Sequence, residues 1–244
     1  MLNQHLLSRV SRQLACLCTV LFSLSLEAAN AIHFVGFNVF DKSNLKQSSA
    51  LFDDYIHQLI PIAGKYGMEF GIYDVSHGGS AELDADVVTF GSVPDMDSFQ
   101  AFFQDPEFAK ISPMLHTALS GHQVIFTEGG FAPSPAEGHT LLSLVWLQGD
   151  PAKATKALDS IQAESLSAFN QYGVSLQSES VGVRSNKGLQ QEILPTTPPH
   201  QMEIWSLRDA HGYLESAHAK AAHQKALHYI SRAEDFWLKT RELR

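Results

Sequence analysis

The sequence predicts an α+β fold: two tandem βαββαβ repeats packed within one chain as a single barrel. Three observations predict it. First, short words recur at a nearly constant offset. Tyr66-Gly67 returns as Tyr172-Gly173 and His33 as His139, both 106 residues on; Val93-Pro94-Asp95 answers to Leu207-Arg208-Asp209 at 114, and Leu115-His116 to Leu227-His228 at 112. The offset steps only at turns and helix ends, where insertions cost least, and so long a period suits whole domains rather than a solenoid. Second, strand and helix periodicities follow in the same order in both halves. Third, a Gly/Pro/Ser-rich stretch at 129–138 lies between them and reads as a linker. The expected domains are 32–128 and 139–244.

In the first half, residues 33–40 (HFVGFNVF) alternate and are rich in β-branched and aromatic residues, a strand pattern. Residues 47–66 carry Leu51, Phe52, Tyr55, Ile56, Leu59 and Ile62 at helical spacings. A second strand (68–76) leads through the turn His77-Gly78-Gly79-Ser80 to a third (86–93). Asp95 is an N-cap for a helix with the stripe Phe99, Phe102 and Phe103. Asp105-Pro106-Glu107 restarts that helix with proline at its first position, and 121–128 is the fourth strand. The order is the ferredoxin-like split βαβ arrangement.

The second half repeats it: a strand at 140–148, a helix from Asp150-Pro151 to about Tyr172, and a strand at 174–184. A long loop at 185–199 follows, then a strand at 200–207 and a helix from Gly212 to about Arg232 with Asp209 as N-cap. Residues 234–240 (EDFWLKT) fit either a last strand or a continuation of that helix.

Ahead of the repeats, Arg9 and Arg12 precede an apolar run from Leu14 to Leu26, followed by Ala29-Asn30-Ala31. That is the form of a secretory signal peptide cut after Ala31, and the run is short for a membrane span of about 20 residues. The expected location is periplasmic or secreted, with no membrane insertion after cleavage. Both cysteines, Cys16 and Cys18, fall inside this segment, so the processed chain would have no disulfide and no thiolate chemistry. The formal charge of −9 argues against nucleic acid as a partner.

The order, the duplication and the stretch FGSVPDMDSFQAFFQDPEFAKISPMLHTALSGHQVIFTEG (90–129) together resemble the dimeric α/β-barrel superfamily, in particular its NIPSNAP-like, DUF1330-like and EthD-like members. The second half has Glu215-Ser216-Ala217 in place of the Asp-Pro-Glu element. The resemblance implies a barrel formed by two units, here a monomeric pseudo-dimer or a homodimer, with a cavity for a small hydrophobic or aromatic ligand. Superfamily members include cofactor-free monooxygenases, polyketide cyclases, isomerases, haem enzymes and plain binding proteins, and fold alone does not choose among them.

Strand alternation supplies the candidate residues. Taking Val35, Phe37 and Val39 as the helix-facing set puts Phe34, Gly36, Asn38 and Phe40 inside the barrel, with Asn38 a polar group in an aromatic lining. Tyr73 and His77 share a face of the second strand, and with His116 they are the candidates for acid/base chemistry. Trp146 and Trp205 are candidates for stacking a planar ligand, or core fillers. His116 and His228 each precede a last strand, where an imidazolium suits a helix C-terminus; either is also a candidate haem ligand. No histidine spacing marks a metal site, and no cofactor is expected beyond that haem alternative. The expected function is a small-molecule site in the barrel, serving binding or cofactor-free proton transfer or oxygenation of an aromatic or polyketide-like compound. The alternative is a non-catalytic envelope interaction protein.

Overall fold

The computed structural model describes residues 31–79, 84–127, 132–133, 138–181, 184–185 and 197–243. The expected signal segment lies outside these residues apart from Ala31, as do most of the expected linker and most of the 185–199 loop. The first half contains β1 (Ile32–Phe40), α1 (Leu45–Gly64), β2 (Glu69–Gly78), β3 (Val87–Val93), α2 (Met96–Gln104), α3 (Pro106–Ala118) and β4 (Leu119–Thr127). The second contains β5 (His139–Leu147), α4 (Pro151–Tyr172), β6 (Val174–Val181), β7 (Arg184–Ser185), β8 (Gln201–Leu207), α5 (Ala210–Glu215), α6 (Ala217–Ala226) and β9 (Ile230–Thr240). No helix among the described residues is long and apolar enough to cross a membrane.

The helix starts follow from capping chemistry. Asp95 accepts from the Ser98 amide at 2.7 Å, Asp105 from Glu107 at 2.6 Å and Asp209 from Gly212 at 2.8 Å, each satisfying a donor that the first turn leaves unpaired. Pro106 and Pro151 take first-turn positions, where no amide hydrogen is needed. The C-terminal segment settles the open alternative in favour of strand. The helix expected to run to Arg232 ends at Ala226, and β9 begins at Ile230. β9 bonds β5 on one side and β2 on the other, so its backbone is used twice, and Phe236 and Leu238 alternate into the core. Tertiary pairing overrides local helix pattern there.

All strand pairings are antiparallel, in the order β6-β8-β5-β9-β2-β3-β1-β4-β7. β6 and β7 stand at opposite ends of this order, yet only two residues separate them in the chain, so the sheet curls round on itself. Its inner face holds one apolar cluster drawn from both halves, including Phe37, Phe90, Leu144, Ile204 and Phe236. Helices cover the outer face, α1 to α3 over the first-half strands and α4 to α6 over the second.

This arrangement corrects the expected facing of β1. Val35 and Phe37 point into the barrel, whereas Phe34, Asn38 and Phe40 point to the helices. On the helix side Asn38 finds partners in the Val87 carbonyl and His122, while Val35 and Phe37 join the apolar cluster that spans both halves. That cluster occupies the inner face, and the aromatic-lined cavity among the described residues lies on the outer face.

Candidate active site

The cavity lies instead between the first-half strands and α1 to α3. It measures about 320 Å³, near the lower end of the range for small-molecule sites. Its floor is the outer face of the sheet, with Phe34 and Asn38 from β1, Thr89 from β3, and His122, Val124 and Phe126 from β4. Phe52, Tyr55 and Ile56 of α1 form one wall, and phenylalanines of α2 and α3 form another. The rings meet edge-on or tilted, Phe34 and Phe70 at 6.0 Å, Phe99 and Phe126 at 5.6 Å, Phe102 and Phe108 at 4.4 Å, the arrangement favoured by ring quadrupoles. Phe103 lines the cavity and is still 48% exposed, so it marks the rim.

Two glycines make the floor fit. A Cβ at Gly36 would stand 2.4 Å from Thr89 Oγ1, and one at Gly91 would stand 2.2 Å from the Phe34 ring. Only a bare backbone lets Thr89 and Phe34 lie down over the strands.

The polar feature of the floor is a pair. Asn38 is 1% exposed. Its Nδ2 donates to the Val87 carbonyl at 3.2 Å, and its Oδ1 lies 2.7 Å from His122 Nδ1. A backbone carbonyl only accepts, so the amide nitrogen must face Val87 and the amide oxygen must face the imidazole. His122 therefore carries its proton on Nδ1, and Nε2 keeps its lone pair. Burial pushes the pKa of His122 down to about 4, with the His116 charge adding to the shift, so the ring is neutral near pH 7. The neighbouring hydroxyl donors are spent on backbone: Thr89 Oγ1 bonds the Gly36 carbonyl and Ser112 Oγ the Ala109 carbonyl, both at 3.4 Å. Tyr55, whose hydroxyl burial holds neutral well above the usual tyrosine range, and His116 complete the polar lining.

The structure brings Asn38 and His116 to this cavity and leaves the other predicted residues elsewhere. Tyr73 packs into the barrel core, its ring 5.5 Å from Phe90. His77 is exposed near the end of β2, paired with Trp237. Phe40 is buried in the helix layer, 5.6 Å from Phe52, and does not line the cavity. Trp146 fills the barrel core and donates to the Thr197 carbonyl at 2.8 Å. Trp205 lies in the second-half helix layer, 5.7 Å from Phe169, and donates to Glu203 at 2.7 Å. His228 is exposed after α6. Tyr73, His77, Phe40, Trp146 and Trp205 are thus not gathered at one site. Each sits where an aromatic or strand-end residue satisfies packing.

His122 was missed by sequence reasoning. Its signal was the alternation of His122, Val124 and Phe126 on one face of β4, which gains meaning only when the register places His122 opposite Asn38.

A second cleft, of about 680 Å³, lies where the chain end crosses α1. Arg241 fills its base. The guanidinium bonds Asp53 at 2.8 Å, Asp74, and Ser49 Oγ at 2.6 Å, and lies 5.4 and 5.7 Å from the Phe40 and Phe52 ring centres. This arginine is fully engaged, and its effect is to tie β9 of the second half to α1 of the first. No cluster of three or more His, Cys, Asp or Glu among the described residues is placed to hold a metal ion.

Fold and cavity together define a ferredoxin-like α+β protein with a small-molecule-sized pocket between sheet and helices. No family model matches the chain, and no curated protein matches it by sequence. Solved structures do match. A chlorite dismutase variant from Candidatus Nitrospira defluvii superposes with TM-score 0.53 at 10% identity, over 87% of this chain and 92% of that one. A candidate monooxygenase from Fusobacterium nucleatum superposes with TM-score 0.51 at 11% identity, over 89% and 94%. The structural neighbours are ferredoxin-like dimeric α/β-barrel proteins. At such identities the likeness establishes the fold and leaves the chemistry to the site.

Proposed function

We propose that this chain binds a small, largely apolar aromatic molecule in the first-half cavity, and that its chemistry is cofactor-free proton transfer or oxygenation of that molecule. The observation that carries the proposal is the buried Asn38–His122 pair at the floor of an aromatic-walled cavity. His122 is the acceptor that faces the ligand, Asn38 holds its tautomer, and His116 stands on α3 as a second imidazole. The test is native mass spectrometry of the purified chain, together with the Val124→Trp variant, which fills the floor. A co-purifying small molecule that is lost in the variant supports the reading; its retention in the variant sinks it.

Haem fits this cavity poorly. His122 Nε2 would offer a neutral imidazole to the iron, yet among the described residues the lining has no Arg or Lys to meet two propionates, and the volume is at the small end for ligand sites. No step is drawn through that group, and the expected spectrum after incubation with haem has no Soret band of a specific complex.

The proposal extends to the architecture and to export. The halves 32–128 and 139–244 are read as two copies of one unit, joined by 129–138 and closing one barrel. The matching strand orders β2-β3-β1-β4 and β6-β8-β5-β9 support this. Residues 1–31 are read as a cleaved signal for a periplasmic or secreted protein, which N-terminal sequencing of the processed chain tests. The processed chain is read as a monomeric pseudo-dimer or a homodimer, which light scattering distinguishes.

A further inference from the structure

We infer that the cavity selects neutral ligands that donate a hydrogen bond, from a hydroxyl or an N–H, and rejects carboxylates, because Asn38 fixes His122 as an acceptor. The inference rests on the small-molecule reading and goes beyond it by naming the polar group the ligand must carry.

The argument is an accounting of donors and acceptors on the floor. Asn38 spends one Nδ2 hydrogen on the Val87 carbonyl, and its Oδ1 faces His122 Nδ1, which leaves the second Nδ2 hydrogen as the one donor of the pair. His122 has then spent its one proton, and Nε2 remains as a lone pair. The Thr89 and Ser112 hydroxyl hydrogens go to backbone carbonyls, so what these oxygens still offer is lone pairs as well. A ligand hydroxyl set against this floor meets an acceptor within an apolar enclosure, where the bond is strong and its absence costly. A carboxylate there meets the Nε2 lone pair, and the neutral donors that remain, the second Asn38 Nδ2 hydrogen and the Tyr55 hydroxyl on α1, replace only part of the hydration that a full charge gives up. Two other polar groups line the cavity, Tyr55 on α1 and His116 on α3. His116 is exposed, so an anion it attracted would be held at the water-facing side rather than on the floor.

Sites built to pair a ligand hydroxyl reject the analogue that lacks it more sharply than apolar pockets reject size changes. One additional hydrogen bond to Nε2 corresponds to about tenfold in affinity.

The experiment compares 1-naphthol, naphthalene and 1-naphthoate, three probes of similar shape, titrated against the full chain by calorimetry or ligand fluorescence. The expected order is 1-naphthol about tenfold tighter than naphthalene, with 1-naphthoate weaker than both. The Asn38→Asp variant reverses the preference: a carboxylate beside Nδ1 favours the imidazolium, Nε2 becomes a donor, and 1-naphthoate gains about tenfold over its wild-type affinity. Since this substitution also faces a carboxylate with the Val87 carbonyl, a nitrogen-15 NMR spectrum of wild-type His122 provides an independent reading. The Nδ1–H tautomer is expected, and the Nε2–H tautomer overturns the inference. Equal binding of 1-naphthol and 1-naphthoate overturns the inference and leaves the cavity reading standing. Failure of all three to bind overturns the cavity reading and the inference with it.

Discussion

Two rows of side chains occupy matching places on the outer face of the sheet, each three residues before the bulge of its central strand. In the first half the row reads Ile72, Thr89, Gly36, Val124 across β2, β3, β1 and β4. In the second it reads Glu179, Glu203, Ser143, Asp235 across β6, β8, β5 and β9. One row floors a cavity. The other is knitted together: Gln201 Nε2 donates to Glu179 at 2.5 Å and to Glu203 at 2.7 Å, and Ser143 Oγ to Asp235 at 2.6 Å. The adjoining row carries the same contrast, with Asn38 and His122 in the first half against Val145 and Ala233 in the second. The same backbone frame thus supports a cavity where the floor is small and apolar, and a carboxylate lattice where it is not.

The two halves also answer pH in opposite senses. Burial pushes the Glu203 pKa up to about 7, and the neighbouring Glu179 and Asp235 charges add to the shift. Burial pushes His122 down to about 4.

The largest break between the halves is expected at the tie that joins them. Arg241→Ala strips the partner from Asp53, which is 5% exposed. Leaving a buried carboxylate unpaired costs about 3–5 kcal/mol, read as a lower urea midpoint, and little change in that midpoint would show the tie to be idle.

The pH contrast comes next. Glu203 is protonated in the fold at pH values where the unfolded chain ionises it. Its stabilisation is therefore complete below about pH 4.5 and lost as pH rises through about 7. His122 does the reverse: the unfolded ring takes a proton below about 6.5 that the fold refuses, so stability falls as pH drops from there toward about 4. Each is on the order of 3 kcal/mol. The two windows overlap with opposite sign, so wild-type stability in urea should change little between about pH 4.5 and 6.5; Glu203→Gln should unmask the rise with pH that His122 causes, and His122→Phe the fall with pH that Glu203 causes.

Gly36→Ser places in the first row the residue that Ser143 supplies in the second. Its Cβ meets Thr89 Oγ1, for a loss of about 1–3 kcal/mol, and an unchanged thermal midpoint would show that the floor gives way. Ser143→Ala is the mildest change: it removes one hydrogen bond to Asp235 and costs about 1 kcal/mol in the same measurement.

Much of the fold was legible because its signals are local. The Asp-Pro and Asp caps fixed the helix starts, and alternation fixed most strands. Two things were not legible. The fate of residues 230–234 depends on β9 finding β5 and β2, partners 83 or more residues away in sequence. The face of β1 depends on which of its two buried sides meets the second-half strands, a long-range contact that no local pattern announces. Once that facing is inverted, Asn38 stays in the candidate site while Tyr73 leaves it for the core. The pair Asn38–His122 needs the register of two strands, which one sequence read alone does not supply.

β2 takes its second partner from the last strand of the chain, and Arg241 closes over α1 only after that strand is laid down. Synthesis runs from the N-terminus, so a nascent chain carries β2 with an open edge until β9 emerges. Contacts this distant along the chain are slow to form, and an unpaired edge is a template for the wrong neighbour. Chains stopped short of β9 should therefore aggregate through β2 rather than persist as a stable first half.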